Sequence, residues 1–168
     1  MYAEKMNEMF AGKKYQELEE FCKRELSLYP KDIDLLFFYS SALEAQGKYS
    51  LAKKSFIKLF NITKDRIFQV CESIAEFAEG DRAQGEKTLN EITDKEENLD
   101  KLFKVFEVAI KNDEGNIGLR ILQKCFMLNR KKTIEFLQEL FEKSHERKPE
   151  RALIMVNTIN LLKSLPDA

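Results

Sequence analysis

The chain has 168 residues, a formal net charge of −1, 34% charged residues, thirteen Phe, no Trp and only six Gly and three Pro. Enough apolar material is present to exclude a disordered chain, and so few turn-formers argue for helices rather than a sandwich. The near-zero net charge offers no global attraction to nucleic acid or to an anionic membrane, so any electrostatic recognition has to be local.

In chain order, the first segment to show helical spacing is Tyr15, Leu18 and Cys22, followed by Glu25 and closed by Pro30. Asp32 is a plausible N-cap for a helix to about Gln46 whose inward positions are Leu36, Tyr39, Ser40 and Leu43. After the break at Gly47, the spacing of Tyr49, Ala52, Phe56 and Leu59 predicts a second helix packed on the first. Further on, Ile67, Val70, Cys71 and Ile74 predict a third inward set, Leu102, Val105, Phe106 and Ala109 a fourth, and Leu137, Leu140 and Phe141 a fifth. Between these sets runs a recurring column, Leu18, Ala52, Gly85, Gly118 and Ala152, at intervals of 34, 33, 33 and 34 residues, small in all but the first. Four residues beyond it stand Cys22, Phe56, Leu89, Leu122 and Val156, and three further Glu25, Leu59, Ile92, Cys125 and Ile159. Polar stretches, GKK, GK, EGD, NDEGN and HERKPE, fall between the paired helices. A period near 34 residues with helical spacing inside it is the mark of stacked helix pairs, here ten helices in five antiparallel pairs within one domain, residues 1–168.

The pattern L-x-x-Y-S-x-x-L-x-x-x-G-x-Y-x-x-A-x-x-x-F from Leu36 to Phe56 resembles the tetratricopeptide repeat family. Leu36 takes the place of the family's Trp, Tyr39 and Ser40 that of its Leu-Gly pair, and Ala52 and Phe56 close the signature. The resemblance is clearest over residues 1–64; residues 65–168 rest on periodicity, because no second G-x-Y-x-x-A occurs. It implies an all-α, right-handed solenoid whose first helices line a concave face where partners bind, and so an adaptor, scaffold or chaperone. The lining positions are Asp34, Phe37 and Ser41, then Asp65, Phe68 and Glu72, then Asp100, Phe103 and Glu107. In the fifth unit, Glu135, Gln138 and Glu142 keep the acid and lose the ring. Segment 67–100 carries a net charge of −7, so a floor of Phe rings flanked by carboxylates would take a basic or amphipathic peptide or helix. Two competing explanations are that the Asp column serves helix dipoles and that the Phe column is core. Family members that grip a terminal carboxylate use Lys, Asn and Arg on this lining; here only Asn7 is of a suitable type, which disfavours such a ligand.

Candidate chemistry is sparse. His145 is the single histidine, Cys22, Cys71 and Cys125 show no C-x-x-C spacing, and EGDRAQGEK lacks the spacing of a phosphate loop. No catalytic residue, cofactor or metal is expected; an enzyme would depend on carboxylates alone, and no pair is singled out. Residues 101–168 carry a net charge of +4, and Arg130, Lys131, Lys132, Arg147, Lys148 and Arg151 could form an RNA-binding edge. Interleaving with Glu142, Glu146 and Glu150 blunts that edge, which leaves nucleic acid the less expected partner. Lys53, Lys54 and Lys58 are read as solubilising an outer helix. The apolar stretch TINLLKSL near the end either folds back on the stack or is covered in a homodimer or larger complex. The odd cysteine count and the opening MYAEKMNEMF, which lacks a leader's pattern, lead to the expectation of a cytoplasmic protein without a membrane span.

Overall fold

A computed structural model of the chain describes residues 2–112 and 114–145. Among these residues the regular structure is entirely helical: α1 (Tyr2–Ala11), α2 (Tyr15–Leu28), α3 (Ile33–Ala45), α4 (Tyr49–Thr63), α5 (Arg66–Glu79), α6 (Arg82–Lys95), α7 (Leu99–Lys111) and α8 (Gly115–His145). The long α8 is broken at Asn129, whose φ of −160° and ψ of 96° are extended, into limbs over 115–128 and 130–145. His145, the first residue of the HERKPE stretch, ends α8, while the rest of that stretch, Ala152, Val156, Ile159 and the apolar C-terminal stretch lie outside the described residues.

Local signals explain the helix ends. Asp32 caps α3, its carboxylate accepting from the Leu35 N–H at 2.9 Å, while Asp81 and Asn98 cap α6 and α7 in the same way. Gly80 ends α5 at φ 92°, a left-handed conformation that a side chain would strain. Short turns bring consecutive helices back against each other from α1 to α6 and again from α7 to α8, and alternate helices also meet in α1–α3, α5–α7 and α6–α8.

All three repeating columns are buried wherever they are described. Leu18, Ala52, Cys22, Leu59, Ile92 and Cys125 are fully inaccessible; Phe56, Leu89 and Leu122 nearly so; and Gly85 and Gly118 are buried with them. Glu25 departs in type but not in place: it is buried and its carboxylate accepts from Arg24 Nε at 3.0 Å. A Cβ added at Gly85 would stand 3.1 Å from three atoms of the Phe77 ring, and one at Gly118 would stand 2.8 Å from Ile110 Cδ1. Small residues in this column therefore let α6 lie directly on a ring of α5, and the first limb of α8 on a branch of α7. The three cysteines are free and buried, as core filler should be, and burial pushes each thiol up to about 12.

Ion pairs cross the stack outside the core. Lys48 meets Glu19 at 2.6 Å, and Arg120 of α8 reaches Glu86 and Asn90 of α6, the first of these 34 residues away, one repeat earlier. Lys53 differs from its expected role: its side chain is only 21% exposed and its ammonium lies 3.3 Å from Glu79, tying α4 to the end of α5, whereas Lys54 and Lys58 are exposed.

The Gly85 contact yields a direct test. Gly85→Val forces a branched side chain onto the flat of Phe77 and should cost about 1–3 kcal/mol in urea melts. Gly118→Ala should cost much less, because the terminal methyl of Ile110 can turn away and alanine regains about 1 kcal/mol of helix propensity.

Candidate partner-binding face

The proposed lining residues lie on α3, α5 and α7, but their environments differ. Asp34, in the first turn of α3, is exposed and forms no ion pair or hydrogen bond within the described fold. Phe37, 41% exposed, meets Phe68 of α5 edge-on with ring centroids 6.5 Å apart, and also touches Phe38. Phe68 is half-buried, its inner side packed on the cluster of Leu36, Leu43 and Cys71. Ser41, one turn beyond Phe37, is half-buried. Ile33, one turn before Phe37, is 44% exposed, and Leu28 at the end of α2 and Tyr29 in the joint that follows are more exposed still. These three extend the apolar surface beyond the predicted set. The spacing of Ile33 four residues before Phe37 was the available signal for the first of them.

The Asp column divides. Asp65 is the N-cap of α5, its carboxylate accepting from the Ile67 N–H at 3.0 Å, so helix capping accounts for it. Asp100 stands exposed in the first turn of α7, while Asn98 does the capping.

The Phe column divides as well. Phe103 is half-buried in the larger core cluster and stacks flat on Phe136, centroids 3.9 Å apart and rings 3° from parallel; Phe106 approaches the same ring edge-on. Phe103 therefore fills core while Phe37 faces solvent. The fifth unit does supply a ring, Phe136, immediately before Leu137 rather than after it at Gln138. Counting one lining position per unit concealed it, because the break at Asn129 sets the register of the last limb.

Glu107 pairs with Lys111 at 3.6 Å. Glu72 is half-buried; burial, then its neighbours Glu76 and Glu91, push its carboxyl up to about 7 against the pull of Lys53. Glu44, in the last turn of α3, is raised to about 7 by burial and by Glu114. Glu76, 1% exposed, is raised by burial and held by the Thr88 hydroxyl, which donates to it at 2.8 Å.

On the basic side, Lys131 lies 4.0 Å from Glu135 and Lys143 3.9 Å from Glu139, while Lys132 is exposed; Arg147, Lys148 and Arg151 fall outside the described residues. A cleft of about 670 Å³ between α6 and α8, floored by Phe77, Leu89 and Ile117, is rimmed by Arg82, Glu86, Glu114 and Arg120. No group of three or more His, Cys, Asp or Glu among the described residues is placed to hold a metal ion, and no described helix is long and apolar enough to cross a membrane. No protein-family profile matches the chain, and no curated protein matches it in sequence.

The raised carboxyls set a pH dependence. With Glu44 and Glu72 near 7 in the folded state and near 4.5 when unfolded, the folded chain binds more protons between those values. Stability is therefore full below about pH 4.5 as far as these groups are concerned, and is lost as pH rises toward about 7. After discounting for partial solvent screening, each group contributes on the order of 1 kcal/mol. Thermal melts should show a higher Tm near pH 5.5 than near pH 8, and Glu72→Gln should flatten that difference by raising the high-pH value.

Proposed function

We propose that the chain is a tetratricopeptide-like solenoid module, an adaptor, scaffold or chaperone without enzymatic activity, that binds a basic or amphipathic peptide or helix on the face formed by α3, α5 and α7. The observation that carries this reading is the exposed aromatic step from Phe37 to Phe68 beside the unpaired carboxylate of Asp34. Ile33, Phe37 and Phe68 offer an apolar ridge for the partner's aliphatic or aromatic anchor, and Asp34 and Asp100 offer charge for flanking Lys or Arg. Anchors of this kind contribute most when water is shut out around them, which the half-burial of Phe68 and Ser41 assists. The groove members differ in role: Phe37 contacts the partner, Phe68 bridges surface and core, and Phe103 with Phe136 stiffens the floor. Glu107, already paired with Lys111, contributes field rather than direct pairing, while Glu72, its carboxyl raised to about 7, is partly neutral near physiological pH. The module works inside the cytoplasm, where buried free thiols persist.

The test is an affinity pull-down from source-cell lysate, with and without nuclease, comparing the wild type with Asp34→Lys and Phe37→Ala. Both side chains are exposed, so the helical circular dichroism should be unchanged. Retained proteins should resist nuclease, and Phe37→Ala should weaken their binding by about tenfold or more. Retention that vanishes with nuclease and ignores both variants would instead favour the edge around Arg130, Lys131 and Lys132 as an RNA-binding surface.

A further inference from the structure

The joints that lead from one helix pair to the next are unequal. Residues 29–32 link α2 to α3, residues 64–65 link α4 to α5, and residues 96–98 link α6 to α7. The next joint is a single extended residue, Asn129, inside the helical run Gly115–His145. Its surroundings, Met127, Leu128, Asn129, Arg130, Lys131 and Lys132, contain neither Pro nor Gly, so nothing in the local sequence forbids a continuous helix. The bend is held by the Asn129 cap, whose Oδ1 accepts from the Lys132 N–H at 2.9 Å, and by the docking of the last limb on α7. That docking consists of Phe136 stacked on Phe103, with Leu137 2% exposed and Ile134 and Leu140 packed around it.

A second observation sits at the same bend. Met127 is 86% exposed, more than any other large apolar side chain among the described residues, and Leu128 beside it is 38% exposed. Neither is explained by packing among the described residues.

We propose that the Asn129 joint is a hinge through which two copies of this chain exchange their last helical limb. When Asn129 turns helical, α8 becomes one rod, and its second limb leaves α7 of its own chain and docks on α7 of the other copy. The packing of limb on α7 is then rebuilt between copies, with Phe136 of one chain stacking on Phe103 of the other, so among the described residues the exchange alters the cap and the hinge and keeps the contacts on α7. Where the two rods pass each other near the two-fold axis, Met127 and Leu128 of each copy meet and leave water. The occupant of this exposed apolar spot is thus a second copy, independently of whichever partner the α3, α5 and α7 face takes.

Two variants act in opposite directions. Asn129→Ala removes the cap and supplies a strong helix former, which favours the rod. Arg130→Pro places proline at the first helical position after the bend, where it is tolerated, and favours the extended conformation that Asn129 already has; within a rod it would break the helix. Arg130→Ala controls for loss of the arginine side chain. Light scattering after size exclusion of the full chain should show a dimer fraction that rises several-fold with Asn129→Ala and disappears with Arg130→Pro but not with Arg130→Ala. The shape of α8 is read by spin labels at Asn116→Cys and Lys143→Cys in labelled chain diluted with unlabelled, the native cysteines being buried. Across a continuous rod these positions lie about 40 Å apart, and across the bend they lie closer. Asn129→Ala should shift the population to the long distance in the dimer fraction. An Asn129→Ala protein that stays monomeric when concentrated, or that dimerises while keeping the short distance, overturns the proposal.

Discussion

The close approach of neighbouring helices at the small residues Ala52, Gly85 and Gly118 is the constraint on which the rest of the structure depends. At Gly85 the ring of Phe77 occupies the space a side chain would need, and at Gly118 the branch of Ile110 does the same. Ala52, fully buried, holds the equivalent place in the second pair. With one helix this close to its neighbour, the residues four and seven positions further along are buried in the core, Phe56 and Leu59 in one cluster and Leu89, Ile92, Leu122 and Cys125 in the larger one. The nearly all-round burial of α5, from Gln69 to Glu76 with only Glu72 partly open, shows where that core is most enclosed.

Burial in α5 also explains why its carboxylates behave unlike surface acids. Glu76 is shut in and relies on the Thr88 hydroxyl, while Glu72 shares one ammonium, Lys53, with other acids nearby. A seam with more carboxylates than cations is tolerable only if some hold protons, and this makes the middle of the stack sensitive to pH. The acidity read along segment 67–100 thus does two jobs: part of it is internal to the packing, and part, at Asp94, Glu97 and Asp100, faces solvent.

Much of the fold was legible in the sequence because helix packing writes a periodic signal. The Asp32 cap, the α3 span, the turns at Gly12, Gly47 and Gly80 and the buried columns all follow from spacing and turn chemistry. The partner face was legible only in part, since a lining position fixes where a side chain begins and not what it meets. Phe37 and Phe103 share a column, yet Phe37 faces solvent and Phe103 lies under Phe136, because the last limb folds over α7. That fold turns on the single residue Asn129, where no glycine or proline announces a joint. Asp65 shows the converse difficulty: a carboxylate beginning a helix has the same residue type whether it caps or recruits.

If the α3, α5 and α7 face holds the partner, a ligand should be felt along a narrow track from the exposed ridge to the half-buried floor. Amide chemical-shift mapping with an amphipathic helical peptide that carries Leu at helical spacing (i, i+3, i+4, i+7) and Lys between measures this directly, without altering the protein. The account predicts the largest perturbations over Asp34 to Ser41 and around Phe68, with α4 and α6 undisturbed. Perturbations concentrated on α4 and α6, or on the limb that begins at Arg130, would contradict it.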